Sequence, residues 1–370
     1  MRPLKIGIVG GSLAGLFSAV LLRGDGHDVT VFERSAHGLA GRGAGLVGQR
    51  DLFRMLRAIG CEHVAHVDVV ARERIYLDAD GRIAERVEAP QTQISWDTLY
   101  SAVASKLPAD LYRPGMSVAN VDETADHVTL GFSNGDTQEF DLVIGADGLA
   151  SRVRSSVNVN TTNKFAGYSA WRGTIPEEDL PSDASILVDR FAFHVRKGVH
   201  ALGYLVPGAN GEMERGSRRY NWVWYRPASL QELPSLFTGE SGRTYDFSLP
   251  RGELGPSRRN ALVQDAHAVL PPQFASAIQA TGSPFIQGIF DYEAERIVSE
   301  RIALTGDAAF VVRPHTAMGV AKAAGDVLAL RGALAETQNL KEALANYERE
   351  RRSVGQDIAL YGRRLGATAL

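Results

Sequence analysis

Arg301 to Lys322 reads R-I-A-L-T-G-D-A-A-F-V-V-R-P-H-T-A-M-G-V-A-K, and the order of residue types in it decides the fold. Ile302 to Thr305 is a short apolar run of the kind that forms a buried strand, and Gly306-Asp307 ends it. An acid at the carboxyl end of a strand, beside a glycine that lets a ligand approach the backbone, suits a polar cofactor chain. Pro314 stiffens a turn, and a helix from about Gly319 offers its positive N-terminus to whatever lies above it. Taken alone, the stretch also fits an ordinary strand, turn and helix with a surface aspartate. Two further motifs, at Gly10 and Asp147, ask for the same ligand.

Leu4 to Val9 is unbroken apolar sequence, as a central strand of a parallel sheet requires. Gly10-Gly11-Ser12-Leu13-Ala14-Gly15 follows at once and runs into the apolar helix Leu16 to Leu22. This is the strand, glycine turn and helix on which a dinucleotide pyrophosphate sits, although Ser12 replaces the middle glycine of G-x-G-x-x-G. A second strand, Asp28 to Phe32, ends at Glu33, 23 residues after Gly10, where a carboxylate reaches ribose hydroxyls. The bland reading of Glu33 is a solvated charge at a strand end. Gly41 to Gln49 is a glycine-rich passage with Arg42 available for phosphate or carboxylate, and Asp51 to Ile59 reads as a capped helix.

The chain of 370 residues is long enough for about two domains that fold without staples. Cys61 is the only cysteine, which excludes an internal disulfide framework and a Cys-based zinc site and fits a reducing cytoplasm. No metal is expected. A net charge of -3 gives no electrostatic case for nucleic acid or an anionic membrane, and no segment approaches the roughly 20 apolar residues of a span. A cytoplasmic protein is the expectation, with a homodimer left open.

Arg72 to Val87 alternates like antiparallel strands turning at Asp80-Gly81, so the chain leaves the nucleotide region there and returns with a helix at Trp96 to Leu107. Val118 to Phe140 reads as a meander with an Asn134-Gly135 turn. It leads into L-V-I-G-A-D-G-L-A-S-R-V-R, Leu142 to Arg154. An apolar strand ending in Asp147-Gly148, with Ser151 and Arg152 close behind, resembles the second fingerprint of the FAD-dependent aromatic hydroxylases of the para-hydroxybenzoate hydroxylase family. Gly306-Asp307-Ala308-Ala309 with Pro314 and Gly319 resembles the third fingerprint, which holds the flavin's ribityl chain and ring. The likeness extends to hydroxypyridine-hydroxylating members through Gly10-Gly11-Ser12, Gly167-Tyr168, Trp171-Arg172-Gly173, Arg313-Pro314-His315 and Ala321-Lys322-Ala323. Those members also carry serine at the second glycine position. Two departures stand near the expected flavin ring: Phe310 replaces the usual histidine and Ala317 the usual glycine.

The resemblance implies an α/β fold, a Rossmann-like (GR2-type) FAD-binding domain of residues 1–71, 96–164 and 291–370. Into it is inserted a β-sheet-based substrate domain of 72–95 and 165–290. Motifs and resemblance together place non-covalent FAD at Gly10, Ser12, Leu13, Ala14, Gly15, Glu33, Arg34, Arg42, Gln49, Asp147, Gly148, Gly306, Asp307, Pro314, Ala317, Met318 and Gly319.

In the middle segment, Leu187 to Arg196 and Val199 to Val206 read as strands joined at Lys197-Gly198. A two-residue turn puts Val195 opposite His200 and Phe191 opposite Tyr204, so Phe191, Phe193, Val195, His200, Leu202 and Tyr204 share a face. That face suits the wall of an aromatic pocket, or equally a sheet face packed on the core. Trp222 and Trp224 resemble a halogenase signature without the Ile-Pro that follows it there, and are read as sheet packing.

The implied activity is a monooxygenase that uses NADH or NADPH and O2 to hydroxylate a small electron-rich ring, hydroxypyridine or phenol-like, which attacks a flavin hydroperoxide. His200 and His315 are the candidate bases for the ring hydroxyl, with Tyr204 assisting. The alternatives are another flavin chemistry on the same fold (halogenation, reduction or tailoring of a larger natural product) and a weakly catalytic FAD-binding interaction protein.

Overall fold

The computed structural model describes residues 2–39 and 45–369. Lys5–Val9 lies at the centre of a five-stranded, wholly parallel sheet in the order Ile302–Leu304, Leu142–Gly145, Lys5–Val9, Asp28–Glu33, Tyr112–Pro114. Ile6, Ile8, Val31, Ile144 and Leu304 are completely buried in it, each contributing about 1.5–3 kcal/mol. The chain builds outward on one side of Lys5–Val9 and comes back on the other with Leu142–Gly145. This reversal opens a crevice at the carboxyl ends of those two strands, where α/β folds place their ligands. Helix Gly319–Glu336 packs against Leu13–Gly24, Arg50–Ala58 and Leu340–Ala369. The meander Val118–Glu123, Val128–Phe132, Thr137–Phe140 sets Phe132 and Phe140 on Phe32, with ring centroids 4.7 and 5.8 Å away.

A second sheet of nine strands runs Ser248–Leu249, Phe285–Glu293, Lys164–Pro176, Arg219–Pro227, Val199–Val206, Arg190–Arg196, Glu73–Leu77, Ile83–Val87. Its ninth strand, Phe310–Val311, pairs with Tyr292 and Glu293 and belongs to the stretch quoted first. One face carries Trp171, Ile175, Ala201, Leu205, Trp222 and Trp224 into a core closed by the helices Pro256–Val269 and Pro272–Ala280. Trp222 Nε1 donates to Thr281 Oγ1 at 2.8 Å, so the tryptophan pair is structural packing. The other face looks toward the parallel-sheet body. A small antiparallel sheet of Gly45–Val47, Gln91–Ser95 and Asp68–Ala71 sits between them.

The sequence reading needs four corrections. The strand placed from Leu187 begins at Arg190, because Ser182–Leu187 winds into a 3-10 turn behind Pro181. Helix Pro256–Val269 was not anticipated: only Leu262 and Ala266 are buried, so its sequence shows little apolar periodicity. The helix expected to be capped at Asp51 runs Arg50–Ala58, with Gln49 at the cap and no capping side-chain bond. The Glu and Arg pairs at helical spacing from Leu340 predict a helix only to Ser353, and it continues to Ala369.

Candidate active site

The first turn is built so that only glycine fits. Gly10 has φ +107°, and a Cβ there would lie 2.3 Å from the Ala146 carbonyl oxygen; one on Gly15 would lie 1.9 Å from that of Gly10. Ser12 caps helix Leu13–Gly24 through its backbone, without a side-chain bond, and Leu13 is buried in the core. Glu33 is nearly buried, accepting from the N–H groups of Gly11 at 2.9 Å and Ser35 at 2.8 Å. Arg34, the next residue, is exposed. Arg42 lies outside the described residues.

The second and third fingerprints are tied to each other. The Asp147 carboxylate accepts from Ser151 Oγ at 2.5 Å and from the N–H groups of Arg152 and Val153, so it fixes the turn that carries Gly148. Arg154, 1% exposed, donates to the carbonyls of Gly148, Leu149, Asp307 and Ala308 and lies 3.7 Å from the Tyr292 ring. Behind Gly306, Asp326 accepts from its N–H at 3.0 Å and from Arg351 Nε at 2.9 Å. Lys322 Nζ donates to the Gly306 carbonyl at 2.6 Å. Asp307 is open to solvent although protein surrounds it. That enclosure pushes its carboxyl above the usual range, with Lys322 and Arg154 pulling the other way; because water reaches it, the rise is tempered.

Pro314, Met318 and Gly319 line up behind this acid, leading into helix Gly319–Glu336. Ala317 adopts φ +53° where the family has glycine, and Gln49 Nε2 donates to its carbonyl at 3.0 Å. A non-glycine residue there costs about 1–2 kcal/mol, partly offset by the greater freedom glycine has when unfolded. Ala317→Gly is expected to raise stability by about 0.5–1 kcal/mol in urea titrations of the FAD-loaded protein. No gain would mean that the Gln49 contact already compensates.

The hairpin register is as the two-residue turn predicts: Val195 pairs with His200, and Gly198 has φ +77°. Phe191 contacts Tyr204 at 4.7 Å and Phe193 at 4.5 Å. Val195 is 44% exposed, because the hairpin tip runs past the edge of the face; the remaining five are buried or half-buried on it. Phe310–Val311 delivers the next loop onto this sheet and sets His315 against it. His315 lies 5.4 Å from the His200 ring, 4.2 Å from Tyr225 and 5.7 Å from Tyr168. Tyr168 Oη and His315 Nε2 are 2.8 Å apart, and Arg313, paired with Asp291 at 2.7 Å, donates to the same hydroxyl. Which of the two donates is set by the His315 tautomer. Both His200 nitrogens are buried without a partner. Tyr204 Oη donates to the Gly45 carbonyl at 3.3 Å.

Burial lowers the His200 imidazole to about 4. His315 is lowered to about 3, by burial first and then by His200 and Arg313. Both are neutral when folded but titrate near 6.5 when unfolded. Their contribution to stability is therefore full above pH 6.5 and is lost as pH falls toward 4, because the unfolded chain takes up protons that the folded one refuses. Denaturant midpoints measured down that range should fall, and His200→Asn with His315→Gln should flatten the slope. A slope unchanged in that double variant would assign the acid sensitivity to other groups.

Tyr168, Tyr225, Arg313 and Asp291 complete the cluster and were not singled out as site residues from the sequence. The Gly167-Tyr168 and Arg313-Pro314-His315 pairs were visible signals, but their meeting depends on contacts across more than a hundred residues. Two grooves on the outer helical face, of about 210 and 580 Å³, share Arg54, Leu328 and Gly332 and touch none of these groups. Lacking an aromatic wall, they are poor sites for ring chemistry. Among the described residues no cluster of His, Cys, Asp or Glu could hold a metal ion, and no helix is long and apolar enough to cross a membrane.

The residues present fit FAD. A glycine turn leads into a helix N-terminus, the Glu33 carboxylate stands beside it on the Gly11 N–H, and Asp307 is open to solvent just after the strand Ile302–Leu304. A family model described as an FAD binding domain matches residues 279–360, and one described as FAD binding domain-like matches 165–291. The chain belongs to the FAD-dependent aromatic-ring monooxygenases and is an enzyme that hydroxylates an aromatic ring. It is 31% identical to 2,6-dihydroxypyridine 3-monooxygenase of Paenarthrobacter nicotinovorans, over 93% of this chain and 86% of that protein. It is also 31% identical to 3-amino-4-hydroxybenzoate 2-monooxygenase of Streptomyces cremeus, over 98% and 87%. The solved structure of 2,6-dihydroxypyridine-3-hydroxylase from Arthrobacter nicotinovorans superposes with a TM-score of 0.93, 28% identity, and coverage of 100% and 93%.

Proposed function

We propose that the chain hydroxylates a small ring already carrying a hydroxyl group, a hydroxypyridine or a phenol, with NADH or NADPH as reductant. The observation that carries this reading is the pair of unpartnered nitrogens on His200, enclosed by Phe193, Tyr225 and His315 on a face that the Gly306–Gly319 loop meets. A ring enters between those aromatics, and its hydroxyl is the natural partner for an orphaned imidazole. FAD, when bound, supplies the activated oxygen and draws its electrons from the nicotinamide. His200 orients the ring hydroxyl, and His315 takes its proton at Nδ1 as the ring becomes nucleophilic, in the tautomer whose Nε2–H is held by the Tyr168 oxygen. Tyr204, bonded to Gly45, closes the far wall.

In this reading residues 1–71, 96–164 and 291–370 serve FAD, and 72–95 with 165–290 serve the substrate. Gly10 to Gly15, Glu33 and Arg34 hold the nucleotide half, and Asp147-Gly148 and Gly306-Asp307 hold the ribityl chain. Gln49, Pro314, Ala317, Met318 and Gly319 frame the ring system. The test is a screen of hydroxypyridines and phenols for stimulated NADH or NADPH oxidation, with labelled O2 and product analysis. Label in a ring hydroxyl supports the proposal. Oxidation that yields only peroxide with every ring sinks it.

A further inference from the structure

The second half of the C-terminal helix Leu340–Ala369 lies against the segment that carries His315. Three glycines on it, Gly355, Gly362 and Gly366, make the approach. Glycine is less favourable than alanine inside a helix, so its use there asks for a neighbour that leaves no room for a side chain. A Cβ on Gly355 would lie 2.3 Å from the Phe310 ring, and one on Gly362 would lie 3.4 Å from the Arg313 backbone N. One on Gly366 would lie 2.7 Å from both Arg313 Nη1 and Tyr168 Oη. An ion pair of Arg363 with Glu293, the strand partner of Phe310, pins the helix at this level.

The three contacts hold different things. Phe310 is a rigid buried ring and the Arg313 N is backbone, so Gly355 and Gly362 serve the packing of the helix. At Gly366, itself buried, the two atoms met are the tips of long side chains, which can shift without disturbing the fold. Both tips belong to the network around His315. Arg313, fixed by Asp291 through Nη2 at 2.7 Å, turns Nη1 to the Tyr168 oxygen at 3.5 Å. The same oxygen lies 2.8 Å from His315 Nε2. Tyr168 is boxed in by Tyr225 and His315, with ring centroids 5.8 and 5.7 Å away, so a push on its hydroxyl is passed to the imidazole.

We propose that Gly366 is a positioning residue for ring hydroxylation: its bare backbone leaves the space in which Tyr168 and Arg313 meet, and so sets where His315 stands and which of its nitrogens carries the proton. The inference rests on the proposed role of His315 as proton acceptor. Gly366 acts through Tyr168 alone. A buried neutral imidazole takes the tautomer that its hydrogen-bond partner selects, so displacing the Tyr168 oxygen removes the selection along with the alignment.

The test compares the FAD-loaded full chain with its Gly366→Ala, Tyr168→Phe and doubly substituted forms. Alanine favours the helix and only side-chain tips must move, so Gly366→Ala is expected to keep its flavin per chain and a urea midpoint at or above the parent's. Its single-turnover hydroxylation, with the hydroxypyridine or phenol that the parent converts fastest, should nevertheless be about 10- to 100-fold slower, the scale of a small misalignment, at little change in KM. In the Tyr168→Phe background, where the hydroxyl is already gone, the same substitution should slow the reaction less than about 2-fold. Nitrogen NMR of [15N]histidine-labelled protein, with the His315 signals identified by their loss in His315→Ala, should show one tautomer in the parent and a mixture in Gly366→Ala. A lower midpoint with loss of FAD would assign Gly366 to packing and overturn the proposal. So would slowing that multiplies with that of Tyr168→Phe. A parent rate and a parent tautomer in Gly366→Ala would sink this inference and leave the proposed function standing. A tautomer change on Gly366→Ala in a protein that hydroxylates no hydroxypyridine or phenol would do the reverse.

Discussion

Single-turnover ring hydroxylation by a His315→Ala protein that keeps its full FAD is expected to be about 10²- to 10⁴-fold slower than in the parent, the usual penalty for a lost general base. His315 meets the aromatic face from the Gly306–Gly319 loop and is held by Tyr168 at 2.8 Å, so its position does not depend on the substrate. With its imidazole at about 3, it stores no proton at neutral pH; it accepts one only as the ring gives it up. The parent rate should therefore show no step from histidine protonation near pH 6.5, where an ordinary imidazole titrates. His200→Ala should raise the substrate KM more than it lowers the rate, because His200 offers orientation. Tyr204→Phe should do least, since its hydroxyl already serves Gly45. If both histidine variants match the parent from roughly pH 6 to 9, the range in which histidines and phenols exchange protons, the ring hydroxyl loses its proton without them.

Asp326→Ala is expected to destabilise the protein by about 3–5 kcal/mol, a large share of the roughly 5–15 kcal/mol that holds a folded domain together. The substitution strands two buried cations, Lys322 and Arg351, that now share one carboxylate at 3.6 and 2.9 Å. It also frees the Gly306 N–H, which orients the turn bearing Asp307. FAD retention should fall with stability, measured as flavin per chain after gel filtration and as the urea midpoint with excess FAD. Asp326→Asn, which keeps the shape and one acceptor, should fall between. A midpoint within experimental scatter of the parent would show that the two cations find water or other partners.

What the sequence disclosed was chiefly what neighbours in the chain decide. The Gly10 turn is legible because backbone geometry excludes any side chain there, and the Val195 to His200 register because a two-residue turn admits one pairing. The Ala317 departure was legible as a missing glycine, and its left-handed backbone gives that departure a physical meaning. Contacts that join distant segments stayed hidden. Nothing near Tyr168 announces His315, 147 residues away, and nothing in Arg364-Leu365-Gly366 says that the glycine faces them. Those facts depend on which elements lie side by side, which local pattern does not fix.

The pairing of Phe310–Val311 with Tyr292 and Glu293 makes one short segment common property of both bodies of the molecule. It prevents the protein from being treated as two interchangeable cassettes. A chimaera that imported residues 165–291 from a relative with another ring preference would meet a foreign edge strand, and the imidazole beyond it would arrive out of line. Changes of substrate in such a scaffold are therefore tied to matching changes in the cofactor loop, and breeding a new specificity into it means moving both segments together.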